Sequence, residues 1–85
     1  MPKFIATHAV NNVDHWKAQD AHRTEVFKSF ATDVTSYVDT NGSKTVALSM
    51  NVHDLAGLQS FMKSPAGAAA MKRDGVVEPV TFFAA

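Results

Sequence analysis

VTSYVDTNGSKTVALSMNV, residues 34–52, is the stretch on which the fold turns. Both halves are rich in β-branched and aromatic residues, which suit a pleated, half-buried surface. Thr40-Asn41-Gly42-Ser43 lies between them, and Asn-Gly favours a tight turn between strands because both residues accept positive φ. Beyond the turn, Val46, Leu48, Met50 and Val52 fall on one face, with Ala47, Ser49 and Asn51 on the other. The reading is an antiparallel hairpin of 34–39 with 45–52.

A different period flanks the hairpin on each side. Before it, Val13, Trp16, Gln19/Asp20, Arg23, Val26/Phe27 and Phe30 share one stripe at 100° per residue, which predicts a helix over 13–30. Asn12 is placed to cap it, with Asp14 in the first turn where the helix dipole favours an anion. After the hairpin, Asp54 caps a helix carrying Leu55, Leu58, Phe61 and Met62. Ser64-Pro65 interrupts it as a fresh N-cap followed by proline at the first helical position, and Gly75 stands where a helix-ending glycine belongs. The outermost segments are strands. KFIATHAV (3–10) alternates Phe4, Ala6, His8 and Val10 against Ile5, Thr7 and Ala9, with apolar groups on both faces, as in a strand covered on two sides. Glu78-Pro79 lead into VTFFAA (80–85), a closing strand in which Phe82 and Phe83 must point opposite ways.

The order is β-α-β-β-α-β, the split βαβ or ferredoxin-like arrangement. It predicts an α+β fold: a four-stranded antiparallel sheet, right-handed crossovers and two helices on one face, as a single domain over residues 1–85. Composition agrees with a folded chain. The 85 residues are 46% hydrophobic and 19% charged, too apolar for disorder. Eight basic residues balance eight acidic ones, so the surplus charge that phosphate backbones demand is missing and no nucleic-acid partner is expected. Apolar runs are too short for a bilayer, there is no cysteine, and no export leader is expected. A cytoplasmic protein without a membrane partner is the expectation.

The segment Phe61-Met62-Lys63-Ser64-Pro65 through Met71-Lys72-Arg73-Asp74-Gly75-Val76, followed by an aromatic strand, resembles small members of the dimeric α+β barrel superfamily. The likeness extends over the whole chain. It implies two protomers packed sheet against sheet around a cavity. It also implies relatives among antibiotic-biosynthesis-type monooxygenases, haem-degrading enzymes, muconolactone isomerases and stress-responsive proteins. Residues 55–74 contain no histidine, so the haem-binding pattern of that group does not carry over, and no cofactor is expected.

His8 is the first candidate site residue. A neutral imidazole in an apolar cavity can serve as a general base or bind a small ligand; the alternative is a histidine satisfied by a backbone carbonyl. Tyr37 and Asn51 would join it if they share the sheet face away from the helices. Asp20 and Arg23, three apart in the apolar stripe, can orient a ligand carboxylate or form an ion pair at the core edge. Trp16 can stack a flat ligand or pack the core, and Phe4, with one of Phe82 and Phe83, points to something covering the open sheet. His8, His15 and His22 recur every seven residues, but the helical rise puts His15 and His22 about 10 Å apart, too far to share an ion, so no metal is expected. The leading expectation is therefore a homodimer, joined through the open sheet face, that binds a small apolar or aromatic molecule between the sheets. A cofactor-independent monooxygenase, isomerase or cyclase acting on an aromatic or polyketide-like substrate is the alternative. A cavity of roughly 300 Å³ or more, with His8 and a second titratable group facing it, would favour the enzyme.

Overall fold

A computed structural model describes residues 3–85. Strand β1 (Lys3–Val10) leads through two short helices, α1 (Val13–Ala18) and α2 (Asp20–Phe27), to β2 (Ala31–Val38). The hairpin partner is β3 (Thr45–Val52), and α3 (Leu55–Lys63) and α4 (Pro65–Asp74) return the chain to β4 (Val76–Ala84). The sheet runs β2-β3-β1-β4 and every pairing is antiparallel. This is the ferredoxin-like α+β fold predicted above.

Register fixes the faces. Phe4 lies opposite Met50, Ala6 opposite Leu48 and His8 opposite Val46. Val10, Val46, Leu48, Met50 and Val52 are buried with Trp16 of α1 and Leu58 of α3, and Phe4 packs against the same cluster. The even-numbered residues of β1 and β3 therefore meet the helices, while Ile5, Thr7, Ala9, Ala47, Ser49 and Asn51 form the open face. Phe82 pairs with Ala6 on the helix side, and Phe83 pairs with Ile5 on the open side. The expectation that Phe4 belongs to the open face is corrected by the same parity: Ile5 and Phe83 occupy it instead.

The caps are those the sequence indicates. The side chains of Asn12, Asp54 and Ser64 accept from the backbone N–H groups of His15, Gly57 and Gly67, and Pro65 opens α4. Gly75 ends α4 with φ of 72°, a left-handed conformation that a side chain would strain.

Three boundaries differ from the prediction. The helix expected over 13–30 breaks at Gln19, because the Trp16 carbonyl accepts from Gln19 N–H (3.2 Å) and from the Arg23 guanidinium (2.7 Å). In an unbroken helix that carbonyl would serve residue 20. Strand β2 starts three residues before Val34, because Asp33 (φ 55°) makes a bulge and pairing resumes on its N-terminal side. Strand β4 begins at Val76, upstream of Pro79; a proline is admissible there because β4 is an edge strand. Among the described residues, no helix is long and apolar enough to cross a membrane.

Candidate ligand cavity

A partly open cavity of about 50 Å³ lies inside the single chain, between the sheet and the helices. Ala6, Leu48 and Met50 form its floor, and Phe61, Met62, Met71 and Phe82 are partly exposed apolar residues in its wall. The polar members of the lining are His8, Arg23, Arg73 and Asp74, with Trp16 beside them. The enclosed space is well under the roughly 300 Å³ of ordinary ligand pockets. It suits a few waters or one end of a larger molecule.

Arg23 organises the polar side. It is 3% exposed and its guanidinium carbon lies 4.0 Å above the Trp16 ring centroid, a cation–π contact in a desolvated setting. Nη1 donates to the Trp16 carbonyl and faces Asp74 Oδ2 at 3.4 Å, while Nη2 donates to Ser36 Oγ at 3.0 Å. Ser36 donates in turn to Asp20, whose carboxylate is 3.7 Å from Nη2 and half exposed. Asp74 is the closer and more deeply buried counterion, and it also accepts from Arg73 Nε at 3.0 Å. Burial works against the Arg23 charge and lowers its pKa, while Asp74 and Asp20 act to retain it.

His8 is buried edge-on to Trp16, their ring centroids 6.0 Å apart. Its Nδ1 lies 3.1 Å from the Ala9 carbonyl. A carbonyl can only accept, so Nδ1 carries the proton and the neutral ring keeps its basic lone pair on Nε2. Burial pushes the imidazole below its usual range; the Ala9 carbonyl and Asp74 oppose that, and the Arg23 charge adds to it. A histidine held neutral in the folded state takes up its proton later than in the unfolded chain. Its contribution to stability is therefore present above the usual imidazole range and lost as pH falls through it. Wild type should lose more stability to urea between about pH 7 and pH 5.5 than His8→Gln does. Equal slopes in the two proteins would show that His8 is not held neutral.

The predicted site residues are split by the sheet. Phe4, His8, Trp16 and Arg23 share the helix side, although Phe4 packs in the core and does not line the cavity. Tyr37 and Asn51 lie on the open face, where Tyr37 Oη meets Ser49 Oγ at 3.0 Å and Asn51 donates to Asp33 at 2.8 Å. They cannot join His8, because odd and even positions of paired strands point opposite ways. Asp20 borders a shallower depression with Lys17, Val34, Thr35, Ser36 and Val38. The cavity thus lies between sheet and helices, where an inter-sheet location was expected for His8. His15 donates from Nε2 to the Arg73 carbonyl at 2.6 Å, tying α1 to the end of α4. Among the described residues, no three His, Asp or Glu side chains gather as a metal site.

Asp74 and Arg73 were not among the sequence candidates. A signal was available: Asp74 is the last residue of α4, and a carboxylate at a helix C-terminus is repelled by the dipole unless a cation holds it there.

No family model matches the sequence, and no curated protein does. Solved structures do match. One, from Bordetella bronchiseptica and titled "putative antibiotic biosynthesis monooxygenase", superposes with a TM-score of 0.75 at 14% identity, covering 99% of this chain and 93% of that one. A Bacteroides thetaiotaomicron structure with the same title gives 0.68 at 11% identity, covering 99% and 86%. A conserved protein from Methanosarcina mazei gives 0.67 at 10%, covering 99% and 89%. At these identities the likeness is one of fold: the chain has the ferredoxin-like α+β fold of these structures.

Proposed function

We propose that this protein binds a small, mostly apolar molecule between its sheet and helices, and that it works as a homodimer joined through the open sheet face. The observation that carries the reading is a lining made mainly of aromatic, methionine and aliphatic side chains, with a few buried polar groups at one side. Such a combination is what orients a small ligand. Met62 and Met71 belong to the wall, and their unbranched side chains can yield space at low cost. Structures of the same fold described as "putative antibiotic biosynthesis monooxygenase" support a second reading, in which His8 Nε2 takes a proton from the bound molecule. Its neutral state and its place beside Trp16 favour that role.

Benzyl alcohol is a suitable neutral probe, and Trp16, the only tryptophan, is the reporter. Titration should change Trp16 fluorescence saturably and raise the melting temperature. Ala70→Phe fills the cavity wall and should abolish both responses while the fold persists. A response that never saturates, or that survives Ala70→Phe unchanged, would overturn the reading.

A further inference from the structure

Among the described residues, three buried side-chain nitrogens have no acceptor: Trp16 Nε1, Arg23 Nε and Arg73 Nη2. All three are donors, and all three residues line the cavity. Their side chains are neighbours, since Arg23 stacks on Trp16 while Arg23 and Arg73 share Asp74. Among the described residues, no buried side-chain acceptor is left unpaired to match them. Folded proteins leave few such donors, because an unmade buried hydrogen bond forfeits the hydration the group had in water. Three in one cluster therefore call for an acceptor-rich occupant.

The charges agree. Arg23 and Arg73 carry two positive charges, and Asp74 is the single deeply buried carboxylate between them. Asp20 is half exposed and also occupied by Ser36, and His8 is held neutral. The two arginines thus share one buried carboxylate, and the second carboxylate, Asp20, is half exposed. A ligand hydroxyl or ketone would serve one donor or two and bring no charge to them. A carboxylate offers two oxygens with about four acceptor positions and one negative charge.

We infer that the cavity is an acid-binding site: it takes a flat apolar monocarboxylate whose oxygens accept from Trp16 Nε1, Arg23 Nε and Arg73 Nη2. This rests on the cavity being the ligand site proposed above and names the class of ligand. The size fits the assignment. A carboxylate head fits the cavity of about 50 Å³, while the ring extends against Phe82, which is 46% exposed, and against Met62 and Met71.

The test compares benzoate with benzyl alcohol, which share a ring and differ in charge, by NMR titration of the ¹⁵N-labelled protein. Benzoate should bind at least about tenfold more tightly and move the Trp16 Nε1–H and Arg23 Nε–H resonances downfield. In Arg73→Met, whose side chain is only part-buried, that preference should fall to within about threefold while benzyl alcohol binding is kept. Equal binding of the two probes to wild type would overturn the acid-site inference and leave the cavity reading standing, as would benzoate shifts confined to other residues. If neither probe binds, both readings fall. The wild-type comparison needs no variant, so a misfolded Arg73→Met does not obscure the outcome.

Discussion

Asp74→Ala is expected to destabilise the protein by about 3–5 kcal/mol, the usual consequence of removing one partner from a buried ion pair. Asp74 is 3% exposed and accepts from two arginines, so its loss strands Arg23 in a desolvated site with only the half-exposed Asp20 nearby. Arg73 can swing toward solvent, since a third of its side chain is already exposed; Arg23, pinned by Trp16 and Ser36, cannot. Whole domains of this kind are stable by only about 5–15 kcal/mol, so the variant should melt far below wild type. A double variant separates charge from packing. Asp74→Ala with Arg23→Met removes the stranded cation, and the Trp16 carbonyl still accepts from Gln19. The double should therefore be more stable than Asp74→Ala alone, by urea unfolding. If the second substitution only adds to the damage, Asp74 acts by shape and not by charge.

The sequence carried the element order because local signals and global topology agree here. The alternation of 45–52, the Asn12, Asp54 and Ser64 caps, Pro65 and Gly75 each mark a boundary with a local physical cause. What was not legible depends on contacts distant in sequence. The break at Gln19 arises because an arginine seven residues beyond Trp16 takes that residue's carbonyl, which no local propensity encodes. The early start of β2 needs Asp33 in a left-handed conformation, which periodicity cannot show.

The site failed at one step, parity. Both faces of β1 are apolar, so alternation says which residues sit with His8 without saying which face meets the helices. Pairing decides it: His8 lies opposite Val46, the buried stripe of β3, and so Tyr37 and Asn51 are on the far side. Trp16 and Arg23 were legible because they sit in a helical stripe. Asp74 was readable only as an electrostatic misfit at a helix end.

Phe83→Glu is expected to dissociate the proposed dimer, and the reason lies in the same parity. All the helices pack on one face of the sheet, leaving Ile5 (40% exposed), Val77 (46%), Phe83 (55%) and Tyr37 (49%) on or beside the other. These side chains come from β1, β4 and β2, so they span the sheet from edge to edge. Exposed apolar side chains spread over a whole sheet face mark a contact surface. A second copy related by a two-fold axis covers both patches at once, and each residue then occurs twice in the interface. A buried aromatic anchor costs about 2 kcal/mol or more when lost, so two copies of a charged replacement should raise the dissociation constant roughly a thousandfold. Light scattering over a dilution series should give twice the 9.2 kDa chain mass for wild type and a single chain mass for Phe83→Glu at micromolar concentration. Leu55→Glu, at an exposed leucine on α3, should leave the mass doubled. A wild type that stays folded at one chain mass would remove the dimer, and dissociation by Leu55→Glu with none by Phe83→Glu would move the interface to the helices.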